Sequence, residues 1–215
     1  MKIAKKWPVW ALSKEHSMTQ HTNLTQMVGP ISWFAERTLR KMEKRYDYSF
    51  DYVRYLWHTS RGAYRRFSFG FMWFATGRDV LPADAGAVAG IVSTLHADCG
   101  PCTQITVNMA TEAGVSPDVL SAAVAGDLNA LPANLALVYR FTHAVVNADY
   151  NAGDMREEVI KLYGEKGLAD LAAVIAAGQV YPTLKRTLGF GETCLKVTVD
   201  KHDVDAHRLE AKAAA

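Results

Sequence analysis

Residues 81–120 read LPADAGAVAGIVSTLHADCGPCTQITVNMATEAGVSPDVL, and whether Ala85–Leu95 forms a strand or a helix decides the fold. The stretch opens on Leu81-Pro82-Ala83-Asp84, and proline suits a first helical turn. Small residues then run to about His96, which predicts a helix. Asp98 sits where an N-cap belongs, just before Cys99. A second helix is expected from Cys99 to Ala113, with Ile105, Val107, Met109 and Ala110 supplying apolar surface and Gly114 ending it. Ser116-Pro117-Asp118 is a restart signal: a cap, a proline at the first position, an acid in the first turn.

Working outward, helices are expected from Pro132 to about Val146, from Gly153 to Tyr163, and from Gly167 to about Leu188 with a kink at Pro182. Gly189-Phe190-Gly191 closes the helical body. Upstream, Pro30 through Arg45 fits a helix with Phe34, Leu39 and Met42 on one side. Residues 50–76 are rich in aromatics, and Gly62, Gly70 and Gly77 are expected to divide them. Strand signals are scarce, so the expected fold class is all-α. The expected division is a leader at 1–30, an aromatic-rich helical extension at 31–78, a helical domain at 79–199, and a terminal helix or tail at 200–215.

The chain has 215 residues, enough for one domain with a full core plus an extension. Hydrophobic residues make up 49% and charged residues 21%, both ordinary for a globular protein. A formal charge of +2 gives no case for nucleic acid. No apolar run reaches the roughly 18 residues of a membrane span. Lys2, Lys5 and Lys6 precede Trp7-Pro8-Val9-Trp10-Ala11-Leu12, but that stretch is short for a secretory signal, Pro8 interrupts it, and no clean cleavage site comes after it. Met18 is an alternative start, and a cytoplasmic location is expected. The three cysteines, Cys99, Cys102 and Cys194, are an odd count and no disulfide scaffold.

Cys99-Gly100-Pro101-Cys102 puts two thiols on the first turn of a helix, where their sulfurs can meet. Unpaired backbone N–H groups and the helix dipole stabilise a thiolate there. A thiolate attacks peroxides and disulfides, and a second cysteine resolves the product. Thioredoxins carry the same four residues after a β-strand, whereas Ala85–Leu95 reads as helix. Four-thiolate zinc binding needs another close pair; His96 with Cys194 would complete a mixed set, but no metal and no cofactor is expected. His96 lies three residues before Cys99 and can lower a thiol pKa or relay a proton, if it does not simply point to solvent. Thr106, one turn beyond Cys102, can bond a sulfur or its own helix backbone. Asp98 reads as a cap rather than a catalyst. Tyr139 and His143 share a helix face, with packing the first reading and catalysis the second. Gln104 and Asn108 are set to line a pocket or an interface. The aromatic segment reads as core plus subunit interface ahead of a ligand pocket, with a membrane-surface contact at Arg65-Arg66 the weakest reading.

Leu81-Pro82, the small-residue helix, Cys99-Gly100-Pro101-Cys102 and then Ala113-Gly114-Val115-Ser116-Pro117-Asp118-Val119-Leu120 resemble the alkylhydroperoxidase-D-like, carboxymuconolactone decarboxylase family. The resemblance covers roughly residues 79–190. It implies an all-α bundle assembling as trimers, hexamers or dimers. It also implies a thiol-dependent peroxidase or disulfide reductase, with Cys102 attacking, Cys99 resolving, and a thiol reductant as partner. Peroxidase members carry a glutamate roughly a dozen residues before the first cysteine and a histidine one turn after the second. Here those positions hold Ala87 and Thr106. His96 is then the expected acid–base helper, in a divergent His-x-x-Cys-x-x-Cys branch. Two other functions are kept: a decarboxylase-like lyase using His96, Tyr139 or His143, and a non-catalytic oligomer binding a ligand or partner through the aromatic segment.

Overall fold

The computed structural model describes Met27, residues 30–190 and residues 196–207. The leader expected at 1–30, apart from Met27 and Pro30, lies outside the described residues, as does Cys194. The fold is all-α with one small hairpin. In order come α1 (Pro30–Tyr46), α2 (Asp51–Thr59), α3 (Arg61–Arg65), a π-helical segment (Arg66–Phe71) and α4 (Met72–Thr76). Next are α5 (Ala83–His96), α6 (Gly100–Glu112), α7 (Pro117–Ala125), α8 (Ala133–Val146), α9 (Ala152–Thr187) and the strands β1 (Lys196–Val199) and β2 (His202–Asp205).

α5 is the axis of the fold. Every residue from Ala85 to Thr94 is buried, and α6, α7, α8 and α9 all pack on it. A helix surrounded on all sides has no polar face to show, so its small-residue, all-apolar reading is what burial demands. Two of its contacts are backbone-close. Thr106 of α6 packs where a side chain on Gly90 would stand, and Ser93 of α5 occupies the space that a Cβ on Gly178 of α9 would need. Gly178→Ala should therefore lower stability by about 1–3 kcal/mol through overpacking, read by thermal or denaturant unfolding. A stabilised variant, gaining the roughly 1 kcal/mol that alanine enjoys over glycine in a helix, would mean that α5 and α9 lie farther apart.

Among the described residues two apolar clusters are buried. The larger joins α5 to α9 with Val197 and Val199 of the hairpin. The smaller is aromatic: Tyr46, Tyr48, Phe50, Tyr52, Tyr64 and Phe67, with Met27 seated among them. The far end of α9 (Tyr181, Leu184, Leu188) and Ile105 of α6 close this second cluster against the first. A buried ion network pins α1 to α2. Arg54 donates to both carboxylate oxygens of Glu36 and to those of Glu43, and also meets Asp51.

Several expectations need correction. Phe34 is exposed rather than grouped with Leu39 and Met42, because the inward side of α1 carries Ser32 and Glu36 for the Arg54 network. Gly62 and Gly70 do not divide the aromatic segment. Helix runs unbroken from Arg61 to Thr76, and the breaks fall at Ser60, whose side chain caps α3, and at Gly77. The kink expected at Pro182 is absent, since Pro182 lies inside continuous helix; the two helices expected over 153–163 and 167–188 do part between them, at Gly164 with φ 70°. α9 is the one described helix long and apolar enough by composition to cross a bilayer; it is broken there, and its Leu171 and Ile175 sit in the core. Of the C-terminal helix or tail expected over 200–215, residues 208–215 lie outside the described residues, and residues 200–205 belong instead to the hairpin, with Val199 paired to His202 around Asp200 and Lys201. Both turn residues have positive φ (43° and 67°), the left-handed pair that a two-residue hairpin loop requires.

Candidate active site

The cysteine pair is placed by the way α5 ends. Asp98 has φ 50°, its N–H bonds to Leu95 O (2.9 Å), and the Cys99 N–H bonds to Thr94 O (3.2 Å). This is the Schellman pattern, with Asp98 as the left-handed residue after the α5 C-cap. Asp98 is thus not the N-cap of α6: it is exposed, and Cys99 itself occupies the N-cap position. An aspartate tolerates the left-handed conformation better than most residues, which is why it serves here. Side chains of α9 brace the turn, since Gln179 donates to Ser93 O (2.7 Å) and Arg186 to Ala97 O. Beneath it the buried Thr103 hydroxyl bonds Thr94 Oγ1 (3.0 Å) and Cys99 O (3.1 Å), fixing the first turn of α6 on α5.

Cys99 and Cys102 are joined by a disulfide, with Cα atoms 5.2 Å apart, and both are buried. They differ in what they meet. Cys102 lines a cavity of about 310 Å³, and Cys99 does not. The inner wall of this cavity is small: Gly86, Ala87 and Gly90 of α5, Thr106 and Ala110 of α6, Ala177 and Gly178 of α9. The outer wall is large: Met42, Tyr48, Phe50, Tyr52 and Met72 from the aromatic extension, with Tyr181. Among the described residues, Arg78 is the only charged one along it. Burial pushes Tyr181 up to about 12 and Tyr52 well above its ordinary value, the latter also through Tyr48 and Tyr181 beside it. Both phenols therefore keep their protons at neutral pH. The Tyr181 hydroxyl donates to Met72 Sδ (3.0 Å).

The aromatic segment is thus core and cavity wall together. Sequence reasoning missed Met42, Tyr48, Tyr52, Met72, Arg78 and Tyr181 as site residues; the excess of aromatics over what a small core needs was the available signal. Ala87 and Thr106 both stand in the cavity wall with Cys102. The Thr106 hydroxyl donates to Cys102 O (2.9 Å), the backbone alternative rather than a sulfur bond. Gln104 and Asn108 have another use. The Gln104 amide exchanges two hydrogen bonds with the Thr198 backbone (2.9 and 2.8 Å) and bonds Asn108 Oδ1, stitching β1 to α6.

His96, Tyr139 and His143 are not in the cavity lining. His96 is half-buried at the end of α5, and its Nδ1 has no partner among the described residues. The buried hydroxyls of Tyr139 and Thr142 on α8 are likewise unpartnered there. Burial holds the His143 imidazole below its ordinary value, and the nearby His96 and His207 add to this. Burial alone raises Tyr139 to about 12. Among the described residues no three His, Cys, Asp or Glu side chains stand where they could hold a metal.

Comparison of the chain with family models, curated proteins and solved structures returns no match in any of the three.

Proposed function

We propose that this protein is a thiol-dependent oxidoreductase of peroxidase type, built on an alkylhydroperoxidase-D-like bundle. The observation that carries the reading is the asymmetry of the pair: Cys102 opens on a substrate-sized apolar cavity, and Cys99 stands bonded to it outside that lining. In the reduced protein the Cys102 thiolate attacks the outer oxygen of a hydroperoxide, the O–O bond breaks, and the departing alkoxide takes a proton to leave as an alcohol. Cys102 is then a sulfenic acid. The Cys99 thiol displaces its oxygen as water and forms the disulfide. An external dithiol reduces the disulfide and is itself oxidised. The N-terminal position on α6, where backbone N–H groups are unpaired, supports the thiolate.

Ala87 and Thr106 leave no carboxylate or imidazole beside Cys102 among the described cavity residues. A protonated tyrosine on the outer wall, Tyr181 or Tyr52, is the proton donor to the leaving oxygen in this scheme. His96, with its unpartnered Nδ1, serves Cys99. A lyase using Tyr139 and His143 is the second reading, favoured by the orphaned hydroxyls of Tyr139 and Thr142. Activity that survives replacement of both cysteines would select it.

The test is alkylation of the reduced protein across pH, with mass spectrometry assigning each cysteine, alongside dithiothreitol-dependent consumption of cumene hydroperoxide. Cys102 is expected to react with a pKa well below the free-thiol value of about 8.5, and to support turnover. Ordinary thiols at both positions, with no peroxide consumed, would overturn the reading.

A further inference from the structure

The helical run Arg61–Thr76 has two aromatic sides where a core needs one. Tyr64 and Phe67 fill the smaller cluster, and Met72, Ala75 and Thr76 line the cavity. The other side exposes Phe69 (68%), Trp73 (82%) and Phe74 (51%). Phe69 and Trp73 are one turn apart, and the exposed Arg65 and Arg66 lie one turn before Phe69. Neither arginine is paired with an acid among the described residues. Between Arg61 and Arg78 the chain has four arginines and no Asp or Glu. Residues 30–78 hold ten Lys and Arg against four Asp and Glu, more positive than the whole chain's +2, so positive charge is concentrated on this segment.

We propose that the exposed face of residues 65–74 docks on the surface of an anionic lipid bilayer. Phe69, Trp73 and Phe74 enter the headgroup region, where amphipathic rings settle, and Arg65 and Arg66 fork onto lipid phosphates. A second copy of the chain is the competing occupant. Charge argues against it: a two-fold interface through this face would bring Arg65 and Arg66 of both copies into one contact, with no acid between Arg61 and Arg78 to offset them. The docking also gives α4 a double role. Its outer residues Trp73 and Phe74 meet lipid while its inner residues Met72, Ala75 and Thr76 wall the cavity, so an apolar molecule dissolved in the bilayer lies one helix away from Cys102.

The docking requires no redox chemistry, so it is read separately from the peroxidase assay. The full chain is mixed with vesicles of phosphatidylcholine alone, or with one quarter phosphatidylglycerol, and floated on a density gradient. It is expected to float with the anionic vesicles and less so as salt rises. Trp73→Ser and the pair Arg65→Glu with Arg66→Glu should each cut the bound fraction roughly tenfold or more, with melting unchanged because the side chains are exposed. No flotation with anionic vesicles overturns the proposal. So does flotation that the variants leave unchanged, which would assign binding elsewhere in the chain. Light scattering that shows a dimer lost on Trp73→Ser would make the face an interface between copies instead.

Discussion

A Cys102→Ser protein should consume no hydroperoxide above background, a loss of at least roughly three orders of magnitude in turnover. A Cys99→Ser protein should complete one attack and stop. Its Cys102 would remain as a sulfenic acid, trapped by dimedone at about one equivalent per chain. The two variants differ because Cys102 is in the cavity wall and its partner is not, so on the proposed peroxidase reading only Cys102 would meet a hydroperoxide directly. The measurement is a peroxide assay, in steady state with dithiothreitol for Cys102→Ser and in a single turnover without added thiol for Cys99→Ser. Unchanged turnover in Cys102→Ser would sink the peroxidase reading. A burst in Cys102→Ser but not in Cys99→Ser would reverse the two roles.

Arg54→Ala carries the largest expected loss of stability, about 3–5 kcal/mol. Arg54 and Glu36 are both buried, and Arg54 also holds Glu43. Removing the guanidinium leaves the buried Glu36 carboxylate with the half-exposed Arg40 as its one cation among the described residues, which costs far more than a surface pair is worth. For a chain of this length that is a fall of roughly 6–20 °C in Tm. The pH dependence should weaken as well. In the wild type, burial raises the Glu36 carboxyl, but hydrogen bonds from Arg54 and Arg40 outweigh it and hold the group below its ordinary value of 4.5. The contribution of Glu36 is therefore present above that value and lost as pH falls through the lower, folded one. Without Arg54, only Arg40 and the Met27 N–H still donate to Glu36, so the folded carboxyl rises from its wild-type value. The variant should then lose less stability than the wild type as acid protonates Glu36. Parallel pH profiles for the two proteins would contradict this account of the network.

The central helices were legible because their signals are local. Ser116 does cap α7, accepting from the Asp118 N–H, with Pro117 at the first position. Gly114 does end α6, at φ 82°. Asp98 misled because an aspartate between two helices serves equally as the cap of the second or the left-handed stop of the first. Only the bonds to Leu95 and Thr94 decide between them. The hairpin was missed although Val197, Val199 and Val204 alternate as a strand should. Its Asp200-Lys201 turn lacks the glycine that usually announces such a loop. The cavity was legible only as an excess of aromatics, with neither its place nor most of its lining. Its walls come from α1, α2, α4, α5, α6 and α9, and periodicity within one helix says nothing of what the others bring to the same space.

The contrast between the two walls of that cavity has a consequence for how the molecule can change. On the inner side a larger residue at Gly90 or Gly178 runs into Thr106 or Ser93, so that side resists revision. The outer side is made of long and aromatic side chains at Met42, Tyr48, Phe50 and Met72, each of which can be trimmed without parting α5 from its neighbours. The chemistry of the cysteines and the choice of what reaches them are therefore separately adjustable. An engineer wishing to admit a bulkier substrate would leave α5 alone and prune the extension, starting at Met72.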